Sequence, residues 1–236
     1  SGPCRCGGLG RRGGTEHREG MSMQLPAPER LHSPAAERNK EPILEVLRPL
    51  LPSGGGRILE VGSGTGIHAA HFVASVPGLV VQPTDVGDEA LGSLRSWLED
   101  PEVGPGFLAP RRLDVRDRPW AVPDAPYDLV YCANVVHISP WEVGVALIEG
   151  AAEVIAPGGA LVTYGPYKID GAHTAPSNQA FDESLRARDP RWGVRDLAEL
   201  LAVAEPAGFR LEARHAMPAN NFTLVFRRSG AAPTPR

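Results

Sequence analysis

The strongest constraint on this 236-residue chain is LEVGSGTGIHAAHF, residues 59–72, which reads as an apolar strand end, a turn holding Gly62, Gly64 and Gly66, and then helical spacing. Alternating glycines let the backbone curl tightly and approach a ligand where side chains would clash or forbid positive φ. The residues after the turn open a helix, whose unpaired N–H groups and dipole favour a carboxylate or phosphate. A glycine turn also serves simply to close a tight βα connection, so the flanking chain must identify the ligand.

Beyond the spacer SGGG the sequence alternates between the two periodicities. RILEV, LVVQPTD, RRLDV, YDLVYCANVV and ALVTYGP are predicted strands, and APGG punctuates before the last of them. Between and after them, GIHAAHFVASV, DEALGSLRSWLED, the stretch from Trp141 to about Ile155, SNQAFDESLRAR and RDLAELLAVAEPAG carry helical spacing. FRLEARHAM and NNFTLVFRR close the chain as two strands joined by a Pro-Ala-Asn turn. This order predicts an α/β fold, Rossmann-like and doubly wound, with a mostly parallel sheet covered on both faces and a C-terminal antiparallel hairpin. Upstream, Ile43, Leu44, Val46, Leu47, Leu50 and Leu51 predict a helix with Pro42 in its first turn. The polar cluster before it reads either as a solvated helix start or as a lid over the glycine turn, with Arg38 or Asn39 holding a carboxylate.

A net charge of -4 and a pI near 6.0 give no global cationic field, which argues against a nucleic-acid partner. No uninterrupted apolar run reaches membrane-spanning length, and the start lacks a signal-peptide core, so a cytoplasmic protein without a membrane partner is expected. Residues 1–32 are rich in Gly, Arg and Pro and are expected to form a disordered extension, with Met21 and Met23 as candidate natural starts. The domain is expected over 33–228, followed by a disordered tail over 229–236. Cys4, Cys6 and Cys132 imply no disulfide framework, and Cys132 reads as a packing thiol. His68 and His71 are neighbours on a helix without a third ligand, so no metal is expected.

In such a sheet the ligand lies outside the carboxyl ends of the strands, where the strand order reverses. The chemistry-bearing residues fall at those ends: Glu60 with Gly62, Ser63, Gly64 and Gly66, then Asp85, Asp114 with Val115, and Asn134 to His137. An acid about twenty residues past the turn suits ribose hydroxyls, which is the role read for Asp85. Asp114 suits the exocyclic amine of adenine, and Val115 offers a backbone N–H and an apolar contact. G-x-G-x-x-G and G-K-S/T are both absent, which disfavours a dinucleotide fold and a P-loop.

E-V-G-S-G-T-G at 60–66, the acid at Asp85, L-D-V at 113–115 and A-P-G-G at 156–159 resemble class I S-adenosylmethionine-dependent methyltransferases across nearly all of residues 34–228. The runs AAERNKEPIL, HAAHF, QPTD, YGPYKIDG, SNQAFDESLRARDPRWGVRD and MPANN are similar to the family of methyltransferase-like protein 26. The resemblance implies a seven-stranded sheet in the order 3-2-1-4-5-7-6 and S-adenosyl-L-methionine in its groove. Arg38, Asn39 and Asn134 join the strand-end residues above as candidates for holding this cofactor.

Methyl transfer is an in-line displacement, so the protein must chiefly orient the acceptor and exclude water. For a hydroxyl acceptor a general base helps, and His137 is the candidate, with Tyr164 across the mouth as a second catalytic residue. Tyr167, Asn178, Asn220 and Asn221 are expected to bind substrate. Arg186, Arg188, Arg191 and Arg195 alternate with Asp182, Glu183, Asp189 and Asp196 and read as a salt-bridged surface more than an anion grip. The expected function is S-adenosylmethionine-dependent methylation of a small molecule, oxygen ahead of nitrogen. The alternative is a non-catalytic cofactor-binding or interaction protein on the same fold.

Overall fold

A computed structural model describes residue 2 and residues 29–230, so most of the expected N-terminal extension and tail, with Cys4, Cys6, Met21 and Met23, lies outside the described residues. Residues just ahead of 33 already contact the helix over Asp88–Ser96 and the turn after it. Arg30 pairs with Asp100 at 2.9 Å and stacks 3.7 Å over the Trp97 ring, and the Leu31 N–H donates to Ser93 Oγ.

The first helix, α1, spans Pro34–Leu47 and begins well before Pro42, which lies inside it. Ser33 is the better helix start: its Oγ accepts from the Ala36 N–H at 3.2 Å, and Pro34 follows in the first turn, where a missing N–H costs nothing. A 3-10 turn, Arg48–Leu50, leads to β1, Gly56–Val61. There follow α2 (Ile67–Ser75), β2 (Leu79–Asp85), α3 (Asp88–Ser96), β3 (Arg111–Arg112), β4 (Tyr127–Ala133), α4 (Trp141–Val154) and β5 (Ile155–Gly165). A small hairpin, β6 (Lys168–Ile169) with β7 (Ala172–His173), precedes α5 (Pro176–Arg188) and α6 (Leu197–Ala204). The chain ends in β8 (Phe209–Met217) and β9 (Asn221–Arg228).

Seven strands form one sheet in the order β3-β2-β1-β4-β5-β9-β8, with β9 antiparallel to both its neighbours and the rest parallel. With the small hairpin set aside, this is the expected 3-2-1-4-5-7-6 order. Successive residues point to opposite faces of a strand, so each central strand feeds two cores. Leu59, Val130, Cys132 and Leu161 pack against Leu147 and Ala151 of α4 and Leu200 of α6. Their neighbours Ile58, Leu129, Tyr131 and Val162 pack against Ile43 and Leu47 of α1, Phe72 of α2 and Leu94 of α3. Burial on both faces explains the near-continuous apolar runs.

Three local differences from the sequence reading stand out. Strand three is only two residues long: after one further bond to β2, from Leu113 N–H to Asp85 O, the chain turns at Asp114, whose carbonyl accepts from the Asp117 N–H. The predicted break at APGG is absorbed into β5, with Gly158 at φ 78 and an irregular register opposite Tyr127 to Leu129. The β6–β7 hairpin was not anticipated, although Asp170 (φ 52) and Gly171 (φ 79) are the Asp-Gly pair that a two-residue turn with two positive φ angles demands. For the start of the domain, Ser33→Ala is expected to lower stability by about 1 kcal/mol through loss of the cap; an unchanged urea midpoint would show that α1 is held by its packing alone.

Candidate functional site

The order reverses between β1 and β4, and the glycine turn sits at the carboxyl end of β1 beside that reversal. Its three glycines are required for different reasons, although all have positive φ: 68 at Gly62, 53 at Gly64 and 83 at Gly66. A Cβ on Gly62 would meet Val135 Cγ2 at 2.6 Å, and one on Gly66 would meet the Trp97 ring at 2.7 Å. A Cβ on Gly64 would meet nothing within 4 Å, so this position faces open space. Asp85 braces the turn: Oδ2 accepts from the Gly64 N–H at 3.0 Å and Oδ1 from the Gly87 N–H at 2.9 Å. Ser63 ties the turn to β2 twice, through its N–H to Thr84 O and through its Oγ, which accepts from the Thr84 N–H.

Gly62, Gly64, Asp85, Asp114 and Val115 line one groove of about 410 Å³. Its other walls are largely aliphatic, and they include Val86 (55% exposed) and Ile138 (42%). Among the described residues these are two of the three large hydrophobic side chains left exposed, so the groove presents an unusual apolar surface to solvent. Asp114 supplies the polar end; Arg116, bonded to both its oxygens, holds its carboxyl below the ordinary range. Ser63, Glu60 and Gly66 do not line this groove. Ser63 and Gly66 shape the turn from behind, and Glu60 lies beneath it.

Glu60 is 2% exposed, and its Oε2 has no partner. Its Oε1 is 3.8 Å from His68 Nδ1, while His68 Nε2 donates to Asn39 Oδ1 of α1 at 2.7 Å and the Tyr131 hydroxyl lies 3.4 Å from Nδ1. Burial, with His71 adding to it, drives the His68 pKa down to about 4, so the imidazole is neutral at pH 7. His68 is thus a hydrogen-bonding hub whose ring also stacks on Phe72. His71 is separate, paired with Glu41 at 2.7 Å, and no group of metal-ligating side chains forms among the described residues.

A second cavity, about 580 Å³, opens beside the first. Arg38, Asn39, Asn134, Tyr164, Asn178, Asn220 and Asn221 all line it, so Arg38 and Asn39, read from sequence either as a solvated helix start or as a lid, face this cavity and do not line the groove of the glycine turn. The cause is Asn39, whose buried bond to His68 fixes the face α1 presents. Asn134 leaves β4 at φ 61 and donates its N–H to Tyr164 O, while Asn178 Nδ2 ties α5 to the β8–β9 turn through Asn220 O at 2.8 Å. Burial raises the Tyr164 phenol above its ordinary pKa, against the pull of the Asn39 and Asn221 amides and the Arg38 charge. Consecutive residues Asn134 and Val135 belong to different cavities, so the end of β4 is the wall they share.

His137 and Tyr167 face neither cavity. His137 is fully buried: the left-handed turn at Asn134 folds the chain back, with His137 N–H on Asn134 O, and sends the ring inward. There its Nδ1 accepts from the Arg195 N–H at 3.2 Å and its ring packs edge-on to Tyr167, centroids 4.7 Å apart. Burial, then the Arg195 charge, pushes its pKa down to about 3, and Nε2 is left without a partner. A base role at the mouth is thereby corrected. Tyr167 is equally buried and donates to Thr163 Oγ1 at 2.7 Å. Arg186 and Arg191 do form the expected salt bridges, with Asp182 and Asp189, and Arg188 stacks on Trp192. Arg195 departs from that pattern: 8% exposed, it caps the carbonyls of Val136, Ser139 and Arg191.

A family model described as "Protein of unknown function (DUF938)" matches residues 30–228. The chain belongs to this family. Solved structures similar to this DUF938 protein include human N-acetylserotonin methyltransferase in complex with SAM, at TM-score 0.64 and 18% identity over 81% of this chain and 52% of that one. Magnesium protoporphyrin IX methyltransferase from Synechocystis PCC 6803 with bound SAH matches at TM-score 0.63 and 15% identity, over 83% and 84% of the two chains. An O-methyltransferase family protein from Burkholderia thailandensis matches at TM-score 0.63 and 16% identity, over 84% and 60%. The DUF938 chain therefore spans about half the length of the human relative. The fold is that of the S-adenosylmethionine-dependent methyltransferases. No helix among the described residues is long and apolar enough to cross a membrane.

The floor beneath the turn has a measurable signature. Burial raises the Glu60 pKa from 4.5 to about 8, with the Ser63 hydrogen bond opposing it. Between those values the unfolded chain has lost a proton that the folded chain keeps, so stability falls as pH rises through that interval. Glu60→Gln is expected to be more stable than wild type at pH 8 by on the order of a few kcal/mol, with the difference disappearing near about pH 4. Urea denaturation at both pH values checks this; a gap independent of pH would rule out a buried, protonated Glu60.

Proposed function

We propose that this chain is an S-adenosylmethionine-dependent methyltransferase acting on a small-molecule acceptor, with the kinship to the family of methyltransferase-like protein 26 as part of the same reading. The observation that carries it is the pair of adjoining cavities: one lined by glycine turn, carboxylates and exposed aliphatic side chains, the other by amides and a guanidinium, meeting at Asn134–Val135. The residues of the first suit the cofactor. The open face of Gly64 leaves room for a backbone-hugging chain, and the N–H groups at the start of α2 favour its carboxylate. Asp85 is disposed to accept from ribose hydroxyls and Asp114 from the adenine amine, while Val86, Val115 and Ile138 supply apolar contact for the purine.

S-adenosylmethionine supplies a methyl group on a sulfonium sulfur when bound. The chain's own task is orientation: Asn39, Asn178, Asn220 and Asn221 with Tyr164 would fix the acceptor against the β4 wall and keep water from the reacting face. An oxygen acceptor is favoured over nitrogen. The second cavity favours a transferase over a module that only binds cofactor, since such a module has no use for an acceptor site of this size.

Titration calorimetry with S-adenosylmethionine tests the groove. Asp85→Ala and Gly64→Val are each expected to weaken binding at least about tenfold, roughly 1.4 kcal/mol, with circular dichroism confirming that both fold. Affinity retained in both variants would place the cofactor elsewhere, and no binding to the wild-type chain would end the methyltransferase reading.

A further inference from the structure

The acceptor cavity has an unusual chemistry for a site that must accept a methyl group. Its polar lining consists of the amides of Asn39, Asn134, Asn178, Asn220 and Asn221, the hydroxyls of Ser177 and Tyr164, and the guanidinium of Arg38. Among the described residues, no aspartate, glutamate, histidine, lysine or cysteine side chain lines it. Arg38 is exposed on α1, forms no ion pair with any described residue, and its charge is felt at the Tyr164 phenol. The cavity thus carries a formal charge of +1, opposite in sign to any group that would pair with it.

These facts restrict the nucleophile. A hydroxyl must shed its proton during transfer, and an ammonium must shed one before it. Tyr164 cannot take either proton, since its phenol is an acid held above its ordinary pKa. His137 is sealed beneath Gly165, where an added Cβ would touch its Nε2 at 2.4 Å. A cationic acceptor would also meet the repulsion of Arg38 and of the sulfonium together. An acceptor that arrives already anionic avoids all three difficulties.

Resting on the methyltransferase reading, we propose that the acceptor is a small carboxylic acid, drawn in by Arg38 and methylated on its carboxylate oxygen to give a methyl ester. A lone pair of the carboxylate oxygen forms the new O–CH3 bond as the C–S bond breaks, and the bonding pair stays on sulfur as a neutral thioether. One negative and one positive reactant give two neutral products. No proton is released, so the absence of a base among the lining residues ceases to be a defect. The amides along the walls then orient the remainder of the molecule by hydrogen bonds.

The test uses the full chain in two measurements. Calorimetry is run with benzoate and phenylacetate against their neutral amides, in wild type and Arg38→Gln, alongside S-adenosylmethionine. The acids are expected to bind and the amides not, and Arg38→Gln to weaken the acids at least about tenfold, with cofactor affinity unchanged within about twofold. Amides binding as well as acids, neither class binding, or a variant that loses cofactor affinity instead would each overturn the proposal, the last by assigning Arg38 to the cofactor's own carboxylate. In parallel, a deproteinised small-molecule extract is incubated with the enzyme and methyl-labelled cofactor, then treated with mild alkali. Label released as volatile methanol is the expected result for an ester. Alkali-stable label, or none transferred, overturns the carboxylate acceptor, whereas absent cofactor binding to wild type overturns the underlying transferase reading.

Discussion

One carboxylate holds the functional end of the sheet in shape. Asp85 closes two βα turns at once, accepting the Gly64 N–H with one oxygen and the Gly87 N–H with the other. Charge-assisted bonds of this kind are stronger than neutral ones, and here they offset a stretch of backbone that only glycine adopts cheaply. The consequence reaches further than the turn. With Gly64 pinned, Gly62 is pressed against Val135, and the β4 loop is thereby set at the distance that separates the two cavities. The ribose-binding role proposed for Asp85 is therefore carried by a residue that also builds the site, which is why its loss should affect shape and affinity together.

The second cavity depends on a different contact, the buried bond from His68 Nε2 to Asn39 Oδ1. An asparagine inside a helix is a weak helix former, and α1 accepts it because its amide reaches a neutral imidazole in a region closed to water. That single pairing turns Arg38 toward the β8–β9 turn and Tyr164 and away from the glycine turn. Tyr131 and Glu60 extend this buried polar cluster from His68, with Oε2 of Glu60 left unpartnered. These contacts join α1, which carries Arg38, to the strand that leads into the glycine turn.

Much of the architecture was legible because it rests on periodicity. The apolar runs of β1, β2, β4 and β5, the helices α2, α4 and α5 and the terminal hairpin all follow from spacing and punctuation, and the strand-end rule brought Gly62, Gly64, Asp85, Asp114 and Val115 to one groove. What spacing does not encode is direction at an irregular residue. Asn134 at φ 61 decides that His137 points inward, and nothing in ANVVHIS marks that angle. The His68–Asn39 bond spans 29 positions, so no local pattern could join them. Two features do carry local signals in the sequence: Ser33-Pro34, a cap followed by a first-turn proline, and Asp170-Gly171, a hairpin turn.

The wall between the cavities also explains why its histidine is not a base. Arg195 gives up much of its hydration, and burial lowers its pKa, yet three carbonyls from the β4 loop and the segment before α6 receive its N–H groups. A buried guanidinium needs such acceptors, and the loop carbonyls need donors, so each stabilises the other. His137 lies against this cation, with Nδ1 accepting the Arg195 N–H, an arrangement that only the neutral ring permits. Protonating the ring would set a second buried cation beside the first and remove that acceptor, loosening the hold on the residues that carry Asn134 and Val135. A proton taken up in catalysis would thus be charged against the geometry of both cavities. A wall built this way favours chemistry in which no proton has to move.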